Sequence, residues 1–572
     1  MRFLFLIYVF FAVILVFSAV FLQRDYQDSW VLEGLTIQTL LVAIPFLILA
    51  INIRSSSRLV LLIASFLMLL SLVVNLKYVQ ISGVFDSIAH YGFTNRLIST
   101  GHVPETGFYA REYSGTPGMH IFLASLTQVT GLSTTVAIKL FLVIVSAMPP
   151  FILYLLIKNV TTESSRRFLL LGTCFTLPLA SILFGTTFAL PMYFLFISVF
   201  LRQTIMSGSS RSFSVILIII VPSLIISHGI TPLFLTVLMF CTPFVLKILS
   251  FIRKEKSPLK LSKYLHFALF LSIFLLSWWM STAKYLFNSF LVNTIQSIFL
   301  KTTAAISIPS AFMELSFLEQ LTLGYIRFYQ LIIVIILSLV GLILYLKVYR
   351  KDYSKTTQDT YFHVICIIIS TIIISIPFLF NLQGYTFERF IIYSKLLSPL
   401  FIGLSLFSLA NLLRFNVKRK SVQNILFTLF LLLLFIPFLF VVYAPQPLIP
   451  TNNENEYLVD YRSVNTIYQI SMIQFAEVHH TTGFTIAADT VTSWQIFGLT
   501  NTSFYSDYIW DNPLSENKTQ GDLILLHYSG VAGPLNEKVD YRTRSKLNEL
   551  KYTIGNNVIY DNGESFIIVP IP

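Results

Sequence analysis

The side chains best suited to chemistry gather in one polar stretch between two long apolar runs. Asp86 and His90 are four residues apart, so on a helix they share one face. Glu112, Tyr113 and His120 follow in the same stretch. A carboxylate can accept a proton, and imidazole and phenol groups can hydrogen-bond a substrate. Asp86 and His90 are therefore the candidate catalytic residues, and the other three are candidate substrate-binding residues.

A structural role for Asp86 is the alternative. An Asp immediately before a helix over 87–100 would cap its N-terminus by accepting a hydrogen bond from a backbone N–H group. Capping does not account for the His90, Glu112 and His120 side chains in the same short loop. The loop is therefore interpreted as a site.

Two other polar positions lie at the ends of apolar runs. His228 stands in the sequence Ser-His-Gly-Ile-Thr, where it is either a satisfied helix end or a substrate contact. Arg389 stands in the sequence Phe-Glu-Arg-Phe, where it snorkels to the interface, pairs with Glu388, or binds an anion. A guanidinium forks onto phosphate oxygens and stays charged, so Arg389 is a candidate phosphate ligand.

The composition indicates that these residues are positioned by membrane-spanning helices. Mean hydropathy is +0.76, and 12% of residues are charged, against about 25% in soluble domains. Apolar runs such as Phe3–Phe21, Leu59–Leu76 and Ile425–Tyr443 reach the length that crosses a hydrocarbon core. The three cysteines fall in apolar runs and show no metal-ligand spacing.

The pattern predicts a mainly α fold, a polytopic transmembrane bundle of about 13 helices. The predicted helices are 3–22, 30–52, 58–80, 136–157, 168–185, 186–201, 212–228, 229–248, 265–286, 327–347, 363–380, 394–413 and 422–443. Basic residues concentrate in alternate short loops, which predicts a cytoplasmic N-terminus and explains the net charge of +12 without nucleic acid. Two long outer loops, 81–135 and about 288–326, contain amphipathic stretches that predict interfacial helices.

The sequence predicts a transmembrane domain over 1–450, followed by a small soluble α/β domain over 451–572. Because the N-terminus is predicted to be cytoplasmic and the number of spans is odd, this second domain is predicted to lie outside the membrane. Predicted strands are Phe484–Ala488 and Leu523–His527, followed by a hairpin of Asn557–Tyr560 and Ser565–Val569. An Asn-Gly pair between the last two supports the turn. This domain offers no catalytic constellation.

The first outer loop resembles that of the GT-C glycosyltransferases, especially their archaeal multi-span relatives. The resemblance rests on Asp86 just after a membrane helix, His90 four residues on, a Gly-x-x-Pro turn, a Tyr, and a Pro-Gly-x-His sequence ending at His120. It implies that Asp86 is a catalytic base or metal ligand, with magnesium or manganese as the metal if one is used. It also implies that Arg389 binds the phosphate of a polyprenyl-phosphate-linked sugar.

Two features depart from that family. Ser87 follows Asp86, so the loop lacks a paired acidic motif, which leaves a metal requirement open. The C-terminal segment lacks the Trp-Trp-Asp-Tyr-Gly sequence of oligosaccharyltransferase catalytic subunits.

The sequence predicts an integral membrane enzyme that transfers a lipid-linked sugar to a glycan, lipid or protein acceptor on the outer face. Alternatives are a transporter or lipid flippase with an outer domain, and a non-enzymatic scaffold. Acidic residues are absent from the middle of the predicted spans, where ion-coupled transporters commonly place them. Pro149-Pro150 is the one candidate for the broken helices that a transporter would contain.

Overall fold

A computed structural model describes the helices, the turns that join several of them, and short strands near the C-terminus. The described residues are 2–21, 29–76, 85–103, 113–175, 185–205, 211–252, 261–284, 287–288, 326–349, 354–381, 393, 395–416, 420–443, 449–450, 457–458, 475, 486–489, 508–510, 523–527, 556–561 and 565–570. Most of the second predicted outer loop lies outside these residues.

Fifteen α-helices occupy the described residues up to 443. They are α1 (Arg2–Phe21), α2 (Ser29–Asn52), α3 (Ser56–Leu76), α4 (Phe85–Thr100), α5 (Gly118–Thr130), α6 (Thr134–Ile157), α7 (Glu163–Gly172), α8 (Gly185–Ile205), α9 (Arg211–Ser227), α10 (Ile230–Ile252), α11 (Leu261–Ser281), α12 (Ile326–Leu344), α13 (Lys355–Asn381), α14 (Pro399–Asn416) and α15 (Lys420–Tyr443). Seven of them, α1, α3, α6, α8, α10, α11 and α13, are long and apolar enough to cross a membrane. The chain is an integral membrane protein.

Helix α7 differs from its prediction. It begins at Glu163, five residues before the predicted start, because the Thr162 side chain caps it by accepting a hydrogen bond from the Ser165 backbone N–H. Its regular part is 10 residues long and continues into a 3-10 turn, Thr173–Phe175. These described residues are fewer than the roughly 20 that a membrane span needs, and the rest of the predicted span, 176–184, lies outside the described residues.

The Pro149-Pro150 pair does not break α6, which is continuous from Thr134 to Ile157. Both prolines are buried in the bundle, where membrane helices tolerate residues that remove backbone hydrogen bonds. The broken helix that the transporter alternative would need does not occur at this position, and the predicted helix 136–157 is confirmed.

Glycines allow three helices to touch through their backbones. A Cβ atom on Gly172 of α7 would lie 2.6 Å from the Pro399 carbonyl oxygen at the start of α14. A Cβ atom on Gly403 would collide with the Leu169 backbone, and one on Gly341 of α12 with the Phe401 backbone. Small residues at helix crossings favour such close packing in membranes. Helices α7, α12 and α14 therefore form one tightly packed group.

The polar loop predicted to carry chemistry contains α4 and α5. The two helices pack against each other and both contact α6. Gly118, the first residue of α5, is so close to the end of α9 that an added Cβ atom would lie 2.5 Å from the Ser227 Oγ. The loop is thus fixed against the bundle at its α5 end.

Near the C-terminus the structure has a mixed five-stranded sheet. Its strands are β3 (Ile486–Asp489), β4 (Tyr508–Trp510), β5 (Leu523–His527), β6 (Asn556–Asp561) and β7 (Ser565–Pro570), preceded by a short antiparallel pair, β1 (Ile449–Pro450) and β2 (Tyr457–Leu458). The order is β4-β3-β5-β7-β6, with β3 parallel to both β4 and β5, and β7 antiparallel to β5 and β6. The predicted strands and hairpin coincide closely with β3, β5, β6 and β7.

Candidate functional site

A pair of histidines forms the core of the loop. His90 of α4 and His120 of α5 are each 1% exposed, and His90 Nδ1 lies 2.8 Å from His120 Nε2. The Thr94 hydroxyl donates to the His90 carbonyl oxygen, one turn further along α4. The fold therefore joins two predicted site residues that are thirty positions apart.

Aromatic rings enclose this histidine pair. The Tyr113 ring centroid is 4.4 Å from that of His90 and 5.8 Å from that of His120. Phe93 covers His120 at 4.3 Å. Tyr113 thus belongs to the same cluster, where its ring packs against both imidazoles.

A tryptophan at the end of α11 holds the turn before α5. Trp278 Nε1 donates a hydrogen bond of 2.7 Å to the Gly115 carbonyl oxygen. The neighbouring Thr116 side chain is buried. The Trp278 side chain therefore ties the first loop to a transmembrane helix.

Burial keeps His120 neutral. Desolvation lowers the pKa of His120 well below its ordinary value of 6.5, and the nearby His90 lowers it further. His120 Nδ1 has no hydrogen-bond partner among the described residues. A buried N–H group without an acceptor is rare, so we assign the His120 proton to Nε2, which donates to His90 Nδ1. Neutral His90 then carries its own proton on Nε2.

The pKa of His120 makes stability depend on pH. In the folded state His120 is not protonated until the pH is well below 6.5, whereas in the unfolded state it binds a proton near pH 6.5. Its contribution to the free energy of unfolding is therefore complete above pH 6.5 and is lost as the pH falls below that value. We expect the thermal midpoint of the wild type to fall between pH 7 and pH 5. His120→Gln should show a smaller fall, and His102→Gln, at an exposed position, should show the wild-type fall. Equal falls in wild type and His120→Gln would contradict the assignment.

A second hydrogen-bonded group lies at the turn between α9 and α10. The Thr231 backbone N–H donates to His228 Nδ1 at 3.1 Å, so Nδ1 is an acceptor and the proton of neutral His228 is on Nε2. The Thr231 hydroxyl lies 2.7 Å from His228 Nδ1 and 2.6 Å from the Tyr393 hydroxyl. Tyr393 thus donates to Thr231, which in turn donates to His228.

The two groups are neighbours. Ser227 precedes His228 and contacts Gly118, which is two residues before His120. The Tyr393 ring stacks on Phe234 at 4.5 Å and is buried. Tyr393, which is four residues after Arg389 in the sequence, is bonded through its hydroxyl to the His228 turn. Sequence reasoning missed Thr231 and Tyr393, which are 162 positions apart and have no local motif.

The hydrogen bond between Tyr393 and Thr231 should be measurable as a coupling free energy in a double-mutant cycle. We expect Tyr393→Phe and Thr231→Val each to lower the free energy of unfolding by about 1 kcal/mol, and the double variant to lose less than the sum. Steric-trap unfolding in bicelles would measure this cycle. Tyr193→Phe is the matched control, since its ring lies 4.8 Å from that of Tyr393 and its hydroxyl has no partner among the described residues. Additive losses would contradict the bond.

The remaining predicted site residues have different outcomes. The backbone of Asp86 lies in the first turn of α4, which begins at Phe85, so Asp86 does not precede the helix as a cap would. The Asp86 side chain lies outside the described residues, as do Glu112 and Arg389. His90, His120 and Tyr113 come together, and His228 lies at the adjoining turn.

The described residues do not form a metal site. No group of three or more His, Cys, Asp or Glu side chains with metal-binding geometry occurs within the described part of the chain. The facing nitrogens of His90 and His120 are occupied by each other. Metal binding by Asp86 stays a prediction.

Comparison with known proteins identifies the architecture. No protein-family model matches the chain, and no curated protein matches its sequence. The crystal structure of ArnT from Cupriavidus metallidurans bound to undecaprenyl phosphate aligns with a TM-score of 0.50. The alignment covers 90% of this chain and 97% of the ArnT chain at 10% identity. The chain has the GT-C fold.

Other solved GT-C structures align at lower scores. The Archaeoglobus fulgidus oligosaccharyltransferase in its apo form gives a TM-score of 0.48 at 12% identity, over 89% of this chain and 75% of that one. Apo ArnT gives 0.47 at 9% identity, over 90% and 97%. At such identities the likeness concerns the GT-C fold, and the chemistry must be argued from the residues of this chain.

Proposed function

We propose that this protein is a membrane glycosyltransferase that moves a sugar from a polyprenyl-phosphate donor to an acceptor at the outer face of the membrane. The carrying observation is the first long loop, where the buried His90, bonded to His120, lies one helical turn from Asp86. The ArnT structure contains undecaprenyl phosphate, which supports a lipid-phosphate donor.

Asp86 is the general base in this proposal. Its carboxylate accepts the proton of the acceptor hydroxyl as that oxygen attacks the anomeric carbon, and the bond from this carbon to the phosphate oxygen breaks. A single displacement of this kind inverts the anomeric configuration. The electron pair of the broken bond leaves with the lipid phosphate.

The leaving phosphate needs fixed donors. Arg389 stabilises its developing charge through the guanidinium N–H groups, and the N–H at Nε2 of His228 or His90 contributes a further donor. The His90–His120 bond fixes the turn of α4 that carries Asp86, because both imidazoles are buried and enclosed by rings. Glu112 and Tyr113 complete the acceptor side of the site.

The rest of the chain follows from this assignment. Residues 1–450 hold the donor, with its tail between helices, and residues 451–572 cover the site or select a glycan, lipid or protein acceptor. The N-terminus lies in the cytoplasm and the C-terminal domain outside. If Asp86 binds magnesium or manganese, the ion would supply positive charge near the phosphate.

Proteoliposomes containing the full chain provide the test. We expect radiolabelled sugar to move from a polyprenyl-phosphate donor to added acceptors, and no transfer from the corresponding nucleotide sugar. A fluorescent phospholipid in the same vesicles measures flipping at the same time. Lipid movement without any sugar transfer would replace this proposal by the flippase alternative.

A further inference from the structure

A polar cavity lies at the opposite end of the bundle from the proposed transfer site. Its volume is about 310 Å3, and it is enclosed by the ends of α2, α7, α14 and α15. Arg54, which lines the cavity, is two residues before the start of α3, and α4 follows the other end of that 21-residue helix. A helix of that length measures about 30 Å, so the cavity is remote from His90 and His120.

The polar lining of the cavity is basic and amide-rich. Arg54 and Arg167 line it together with Gln423 and Asn424, and no carboxylate occurs among its described lining residues. Arg54 is exposed, while Arg167 is half-buried and donates a hydrogen bond of 2.7 Å to the Ile51 carbonyl oxygen. That bond fixes the guanidinium at the cavity wall. Two guanidinium groups and two amides suit the oxygens of a phosphate.

A carboxylate on the same helix as Arg167 is already engaged. Glu163 accepts hydrogen bonds from the Ser56 N–H and hydroxyl and from Arg166. Burial alone would raise the pKa of Glu163, but these hydrogen bonds and the charges of Arg166 and Arg167 lower it. Glu163 is thus paired with Arg166 and does not line the cavity, so the charged groups in the lining are Arg54 and Arg167.

The other wall of the cavity is apolar and adjoins a lipid-facing surface. Phe427 and Leu413 line the cavity, and their neighbours Leu426 and Leu412 are 41% and 59% exposed. The distribution of basic residues among the loops predicts that this end is cytoplasmic. Membranes carry anionic lipids on that side, and basic pockets between transmembrane helices bind the headgroups of such lipids there. A soluble phosphate would use the polar wall alone, whereas a phospholipid uses both.

We propose that this cavity binds the headgroup phosphate of an anionic phospholipid. The phosphate lies between Arg54 and Arg167, and an acyl chain leaves along the apolar side past Phe427. The site is independent of the proposed sugar transfer, and its occupancy does not require catalysis.

Native mass spectrometry of the full chain in detergent tests the proposal, with phosphatidylglycerol and phosphatidylcholine as probes. We expect wild type to retain phosphatidylglycerol preferentially and Arg54→Gln to lower that preference about fivefold. Arg202→Gln is the matched control, because it removes a guanidinium at the same predicted end from a residue that does not line the cavity. It should keep the wild-type preference.

Ala410→Phe separates the cavity from diffuse surface charge. Ala410 lines the cavity, so a phenyl ring there fills the space while both arginines remain. We expect Ala410→Phe to lose the preference for phosphatidylglycerol while it keeps the thermal midpoint of the wild type. If this variant does not fold, the result with Arg54→Gln decides alone. Wild-type preference in Arg54→Gln overturns the proposal. Displacement of phosphatidylglycerol by millimolar inorganic phosphate also overturns it, in favour of a soluble anion.

Discussion

Asp86→Asn should lower the rate of sugar transfer by about a hundred- to ten-thousand-fold, the usual contribution of a general base. The amide keeps the size of the side chain but cannot accept the proton of the acceptor hydroxyl. Since Asp86 lies in the first turn of α4 and the buried His90 lies one turn on, the substitution leaves the packing of the histidine pair in place. Initial rates with labelled polyprenyl-phosphate sugar at saturating donor would measure the change.

Asp359→Asn supplies the comparison for Asp86→Asn. Asp359 lies in the first part of α13, at the predicted cytoplasmic end, so the same chemical change occurs far from the proposed site. Transfer should remain at the wild-type rate in that variant. A wild-type rate in folded Asp86→Asn would remove Asp86 from the mechanism.

Arg389→Gln should lower the rate constant for transfer by about a hundred- to a thousand-fold, the loss expected when a donor to a developing oxyanion is removed. Arg389→Lys should recover part of the rate, because it restores the charge without the two-pronged geometry. Single-turnover kinetics with a prebound donor would separate the chemical step from donor binding.

The segment around Arg389 offers its own control. Lys395→Gln removes one positive charge six residues further on, beyond the Tyr393 anchor. We expect a change of only a few-fold, which is typical of an exposed or partly exposed charge. If Arg389→Gln and Lys395→Gln behave alike, general electrostatic attraction explains the effect and Arg389 is not a phosphate ligand.

Hydropathy was sufficient to predict most of the bundle, because membrane helices satisfy their backbone locally and require long apolar runs. It was insufficient for the start of α7, which the Thr162 cap sets at Glu163, five residues before the apolar run begins. Four strands of the C-terminal sheet, β3, β5, β6 and β7, were predicted from short apolar segments and the Asn-Gly turn, whereas β4 was not predicted. The parallel pairing of β3 with β4 and β5 depends on contacts between distant segments and was not predicted.

The candidate site was partly predictable for the same reason. His90, Tyr113 and His120 share one loop, so their proximity could be expected from chain connectivity. Their direct bond and burial depend on α4 packing against α5. The connection from His228 through Thr231 to Tyr393 crosses from α10 to a segment before α14, and no local signal marks it. Long-range polar contacts of this kind require the tertiary fold.

The glycine contacts among α7, α12 and α14 also restrict how the protein can move. Gly172, Gly341 and Gly403 accept a facing backbone only in the present register, so sliding one helix past another would drive larger side chains into main-chain atoms. Shear between these three helices is therefore blocked, and they must shift as a rigid block. Any lateral gate that admits a long lipid tail must open at other helix boundaries.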